Sequence, residues 1–301
     1  MILAPLRGVT IRCFREVFAD VIRDAGFTEA LTPFIPAMPG YDPMANEELR
    51  VKNEECKGDS ARSSFFTLHS SLFRLTPQFI GKDPAALKSC LEKVKAAGSD
   101  TADLNCGCPF PMVRNKGRGS GILRTPDVLR RMLEVGCETM GPGKFSIKAR
   151  LGVDRNDELL KLMPMINEFP LRFLTVHART ARQMYEGRCD GEMLEQVAGA
   201  SKVPIVRNGD VEFEISDKRV GTRFPTMIGR SFIRWLGTRE DVGELLERYI
   251  AASQEELFGE RPVLGRMKEL LAYWKDLPQW KRRWPVLKLA RSLDELKNMV
   301  K

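Results

Sequence analysis

The stretch DLNCGCP, residues 103–109, decides how this chain is read. An apolar run ends there in an amide, a thiol, a glycine, a second thiol and a proline. That order describes a strand running into a tight turn, with one sulfur presented at the turn's edge. Working outward, the preceding segment carries helix boundary signals. Asp83-Pro84 supplies an N-cap with proline at the first helical position, and Gly98 ends that helix. Thr125-Pro126 and Gly136 repeat the arrangement on the other side. Short apolar segments recur at residues 2–4, 31–34, 75–80, 102–104, 145–148, 173–176, 205–207 and 226–228. Eight strands alternating with helices over ~240 residues predict an α/β chain folded as a (β/α)8 TIM barrel. An open doubly wound sheet fits less well, because no GxGxxG follows the first strand. The nearest match, Gly117-Arg118-Gly119-Ser120-Gly121, follows the fourth and has the wrong spacing.

After Thr238 the texture changes. Residues 245–257, 266–277 and 285–300 read as amphipathic helices without strand signals, so a small all-helical domain (239–301) is expected to follow the barrel (1–238). The polar segment 44–71 reads as a long loop over the barrel mouth.

Apolar content of 43% and charged content of 29% over 301 residues describe an ordinary soluble globular protein. No run of 18 apolar residues exists, and the N-terminal MILAPLRG lacks the pattern of a signal peptide. The seven cysteines are odd in number and scattered, so reduced thiols in a cytoplasmic protein are expected rather than a disulfide framework. The net charge of +8 favours an anionic partner, nucleic acid being the commonest. Six basic residues (Arg114, Lys116, Arg118, Arg124, Arg130, Arg131) lie between Met112 and Arg131 against one acid, Asp127. A second basic group, Lys281-Arg282-Arg283, lies between Trp280 and Trp284.

In such a barrel chemistry sits at the C-terminal strand ends. There the sequence places Asn105 and Cys108, Lys148 and Arg150, His177 and Arg179, Asn208-Gly209-Asp210, and Gly229-Arg230, with Gln78 within the third strand. Glycines after strands seven and eight let backbone amides approach an anion, and Arg230 adds charge, which suggests a phosphorylated cofactor there. The plainer reading is that both glycines serve tight turns. Lys148 would reach the cofactor body, or simply snorkel from a strand end. His177, one of two histidines, is catalytic or a satisfied structural group. Cys108 has three possible uses. A metal site needs more ligands than Cys106 and Cys108 supply, so no metal is expected. A nucleophilic thiolate would want a base, and His177 is available. A protonated thiol would act as a general acid. Cys13, Cys90, Cys106 and Cys137 read as buried apolar cysteines.

Taken together these motifs resemble the tRNA-dihydrouridine synthase family. APLRGVT (residues 4–10), NCGCP (105–109), KARLG (148–152), HART (177–180), NGD (208–210) and GR (229–230) match its pattern in order over about residues 1–240. The DLNCGCP form is most similar to the bacterial branch acting near D-loop position 16. Leu6, Pro33 and Ala178 depart from the family's usual methionine, glutamate and glycine.

The resemblance implies an FMN-dependent reduction of uridine in tRNA, with NADPH as electron donor. It implies that Pro5, Gln78, Lys148, His177, Asn208, Gly209, Asp210, Gly229 and Arg230 hold FMN. Asn105 and Arg179 would lie near the uracil, Cys108 would donate the proton, and Arg282 and Arg283 would bind tRNA. A monomer is expected. Three alternatives stay open: a flavin enzyme for a free pyrimidine, the same reaction on ribosomal RNA, and a non-catalytic FMN-containing RNA-binding protein.

Overall fold

In the computed structural model, which describes residues 1–49, 73–213 and 223–300, ten short parallel strands form one closed ladder. They are β1 (Ile2–Leu3), β2 (Glu29–Leu31), β3 (Ile35–Pro36), β4 (Arg74–Thr76), β5 (Gln78–Ile80), β6 (Ala102–Cys106), β7 (Phe145–Gly152), β8 (Leu174–Thr180), β9 (Ile205–Asn208) and β10 (Thr226–Ile228). β1 pairs with both β2 and β10, and the ladder runs on through β9, β8, β7, β6 and β5. β5 then pairs with β3, and β4 with β2, which closes the ring.

Two prolines explain ten strands where eight are expected. Pro33 divides β2 from β3 and Pro77 divides β4 from β5, because proline has no N–H to give to a ladder. The gap is bridged by Thr32, whose backbone N–H donates to Thr76 O at 3.1 Å and whose Oγ1 accepts from the Gln78 N–H at 3.0 Å. Each proline-linked pair is one stave, so eight staves close and the open sheet is ruled out. The strand expected at 31–34 is thereby corrected: ladder pairing falls on either side of Pro33. Side chains alternate across the wall. Ile2, Ala4, Leu31, Val206 and Met227 cluster together, while Leu3, Ala30, Ile205 and Ile228 join the layer under the helices.

The helices lie outside. Asp83 caps the helix Pro84–Ala96 by accepting from the Ala86 N–H at 3.1 Å, and Gly98 follows with φ +94°. The helix Pro126–Met140 does not stop at Gly136, as expected, but at Gly141 (φ +99°). Gly136 instead lets the Phe145 ring pack against the helix: a Cβ there would lie 2.2 Å from Phe145 Cε1.

Beyond Leu236 the chain is helical: Val242–Glu256, Glu260–Leu271, Pro278–Lys281, Trp284–Leu287 and Leu293–Val300. The last expected helix, 285–300, is thus broken in two. This region shares one apolar core with the barrel. Tyr249 meets Phe14 and Phe18 edge-on at 6.0 and 5.6 Å, and the Trp274 and Trp280 indoles donate to Ile233 O and Gly237 O at 2.6 and 2.8 Å. No described helix is long and apolar enough to cross a membrane. Most of the expected mouth loop, 50–71, with Cys56, lies outside the described residues.

Candidate active site

A chain of amides builds the turn after β6. Buried Asp103 accepts from Ser146 Oγ at 2.7 Å and from Gln78 Nε2 at 2.8 Å. The Gln78 carbonyl is thereby turned to accept from Asn105 Nδ2 at 2.8 Å. That leaves Asn105 Oδ1 facing the turn, where it accepts from the backbone N–H of Gly107 and Cys108 at 3.1 and 2.8 Å. A carboxylate only accepts, so its orientation fixes both amides in sequence. Ser120 completes the hold, its Oγ and N–H donating to Cys108 O at 2.9 and 3.1 Å. Burial pushes the Asp103 carboxyl up to about 6, against the Ser146 and Gln78 donors.

Cys108 is 6% exposed and borders the cleft. Burial raises its thiol above the ordinary range, outweighing the Phe110 backbone hydrogen bond and the nearby Arg150, Arg7 and Lys148 charges. The sulfur is therefore protonated near neutrality, which suits a proton donor rather than a nucleophile. The His177 ring is engaged by Arg179. Its Nε2 lies 3.2 Å from Arg179 Nη1, and an arginine only donates, so that nitrogen is the acceptor. Burial, then Arg150, Lys148, Arg179 and Arg230, drive its pKa well below the usual imidazole value, so the ring stays neutral.

Lys148 projects from β7 into the cleft, and its ammonium makes no hydrogen bond or ion pair to a described residue. Burial, reinforced by Arg150, lowers its ammonium to about 8, while Asp103 opposes the shift. Arg150 is 2% exposed and donates to Gly107 O (2.9 Å), Thr180 O (3.0 Å) and Met184 O (2.7 Å), which ties the Cys108 turn to the loop after β8. That loop presents Tyr185 between two cations, with Arg150 and Arg230 at 5.3 and 5.1 Å from its ring centre.

Arg179 and Asp210 border the cleft but spend their polar atoms on one another. Arg179 Nη2 donates to both Asp210 oxygens at 2.7 Å and to Gly187 O at 2.6 Å, and Nε donates to Glu186 O at 3.1 Å. Asp210 also accepts from the Cys189 N–H at 2.9 Å. Arg179 and Asp210, expected at the uracil and at the cofactor, thus line the cleft as a pair already bonded to one another. Asn208 donates to Met227 O at 2.9 Å and orients the turn. Gly209 has φ +92°, and a Cβ there would lie 2.5 Å from the His177 ring. Gly229 abuts Ala4 and Leu6, and Arg230 opens the next helix.

These elements enclose a cleft of ≈ 570 Å³ at the C-terminal ends of the strands. Pro5, Gln78, Asn105, Cys108, Lys148, His177, Arg179, Asn208, Gly209, Asp210, Gly229 and Arg230 all border it. Arg282 and Arg283 do not; they lie on the outer surface, where Arg283 Nη1 donates to Val300 O at 2.9 Å. Trp280 beside them is buried. Sequence reading missed Phe110, Tyr185, Glu269 and Tyr273, which also line the cleft. Tyr185 follows no motif, and Glu269 and Tyr273 arrive from the helical region.

The model of the dihydrouridine synthase (Dus) family matches residues 2–230. The chain is 27% identical over 213 residues to tRNA-dihydrouridine synthase B of Vibrio cholerae, covering 70% of this chain and 60% of that one. It is 29% identical over 218 residues to a probable tRNA-dihydrouridine synthase of Helicobacter pylori (66% and 65%). It is 26% identical over 213 residues to a tRNA-dihydrouridine(16) synthase of Ralstonia nicotianae (70% and 61%). The chain thus spans a little under two thirds of the length of these curated relatives, and the B and 16 forms resemble it about equally. Among solved structures it is similar in fold to TcOYE with pHBA (TM-score 0.54, 13% identity, covering 92% and 95%). Morphinone reductase in complex with tetrahydroNAD is another such neighbour (0.52, 12%, 78% and 83%). With the family model covering the whole barrel and its motifs gathered at one cleft, the chain belongs to the dihydrouridine synthase family.

Proposed function

We propose that this protein reduces the uracil C5=C6 bond of a uridine in tRNA, with FMN bound in the cleft and NADPH as electron donor. One observation carries the reading: buried Cys108, its thiol pKa raised by burial, lines one cleft together with the cation Lys148, whose side chain is held by no hydrogen bond to a described residue. The residues present fit a flavin. The volume suits one flat ligand of that size. Lys148 would face the ring edge where negative charge accumulates, with Pro5, Gln78 and neutral His177 along its body. Gly209, Gly229 and Arg230 would receive the phosphate, since two turns without side chains leave backbone amides open beside a guanidinium.

Bound there, reduced flavin would supply hydride for C6 of the uracil. Cys108 delivers the proton to C5; the raised thiol pKa keeps that proton on sulfur until carbanion character develops opposite it. Asn105 keeps one Nδ2 hydrogen free for the uracil, its other groups being committed to Gln78 and the turn. Arg150 and Arg179 fix the cleft walls. The uridine must leave its stack to reach the thiol. Arg282 and Arg283 would meet tRNA phosphates from the outer face, making binding salt-sensitive. The reading places the protein in the cytoplasm, as a monomer.

The test is Cys108→Ala. FMN and tRNA binding should persist while dihydrouridine formation falls at least ~100-fold, the scale of one general acid. Full turnover would remove the acid role, and a colourless protein that cannot take up FMN would remove the cofactor.

A further inference from the structure

We infer that Phe110 is a wedge that takes the place of the extracted nucleobase in the RNA stack. This rests on the reading above, in which a uridine is drawn out of its stack to Cys108. Phe110 is one of few large apolar side chains left in water, 41% exposed, and it lines the cleft. Its place in the chain binds it to the acid. It lies two residues past Cys108, and its backbone hydrogen-bonds that sulfur.

The ring stands on a stiff mount. Pro109 and Pro111 flank it, its backbone is extended (φ −60°, ψ 130°), and Pro111 starts a short helix, Pro111–Arg114. The turn beneath is held by Asn105 and Ser120. A ring so placed loses little freedom when it meets a partner. Met112, 73% exposed, stands next to it on that helix. Exposed Arg7 lines the same cleft, and the segment that follows Phe110 carries exposed Lys116 and half-buried Arg114 and Arg118. An exposed apolar ring in a basic segment is the composition proteins use to unstack nucleic acid bases. The geometry couples the two tasks, because whatever seats Phe110 against the emptied stack also seats Cys108 beside the base.

The test uses the flavin-loaded enzyme, Phe110→Ala and Phe110→Trp. The substrate is a tRNA transcript with 2-aminopurine beside the uridine that the wild type reduces. Phe110→Ala should keep its thermal midpoint, flavin content and rate of flavin reduction by NADPH. Its kcat/KM on tRNA should fall ~10–100-fold, and the emission rise that reports unstacking on binding should vanish. Phe110→Trp should restore both. On an RNA whose target uridine is flanked by abasic positions, Phe110→Ala and wild type should agree within about threefold. A Phe110→Ala enzyme within twofold of wild type on tRNA, an equal deficit on both RNAs, or a retained emission rise would each overturn the wedge. Wild type inactive on every RNA is a different failure; it removes the underlying function.

Discussion

Replacing Lys148 by methionine should make the flavin-free protein more stable. Burial and Arg150 bring its ammonium from 10.5 down to about 8. At 1.36 kcal/mol per pH unit that gap is ~3 kcal/mol of folding free energy withheld at neutral pH. Water in the open cleft screens part of it, so ~1–3 kcal/mol is expected. Methionine fills similar volume without charge. The sign follows from proton counts. The unfolded lysine keeps its proton to ~10.4, whereas the folded one begins to lose it near 8. Between those values the unfolded chain binds more protons, so wild-type stability climbs with pH. Methionine's advantage should therefore be largest near neutrality and close above ~pH 10. Urea unfolding of both proteins, flavin removed, at about pH 7, 8.5 and 10 reads this directly. A variant less stable than wild type at neutral pH, or a gap that ignores pH, would refute the claim that Lys148 is held at a cost for an anionic ligand. The same variant should bind FMN more weakly.

Asn105→Ala removes three hydrogen bonds and frees two turn amides, so a stability loss of ~2–4 kcal/mol and ~100-fold slower dihydrouridine formation are expected; wild-type turnover would show that the turn holds without it. Gly136→Ala drives a Cβ to 2.2 Å from Phe145 Cε1 and should cost ~1–3 kcal/mol in chemical denaturation, whereas a mere helix stop would be insensitive or stabilised. His177 is neutral when folded but protonates below ~6.5 when unfolded, so wild type should lose stability relative to His177→Gln as pH falls from about 7 to 5, by up to ~1.4 kcal/mol per unit. Parallel pH curves would contradict that assignment.

The barrel was legible because its signals are local. Asp83-Pro84 caps a helix by contacts within one turn, and the apolar staves announce themselves one by one. The failures are non-local. Gly136 reads as a helix stop until Phe145 is seen lying against it. Pro33 and Pro77 are visible in sequence, yet only closure of the ring shows that each splits a stave without ending it. Within the site, the strand-end motifs named most of the cleft. What they hid is how the groups pair. Arg179 looks free for a ligand until Asp210, far along the chain, is found to occupy it. Tyr185, Glu269 and Tyr273 carry no signature of their own, and packing alone delivers them.

The amide chain beneath Cys108 has a built-in swivel. Ser146 Oγ lies 2.7 Å from Asp103 Oδ1 but also 3.4 Å from Ala102 O. If Asp103 takes up a proton near its pKa of about 6, the hydroxyl can rotate, give its hydrogen to Ala102 and receive one from the acid. Gln78 then still finds a lone pair at Oδ2, and neither amide downstream has to flip. Mild acidification therefore alters a charge deep in the barrel while the sulfur above it keeps its aim.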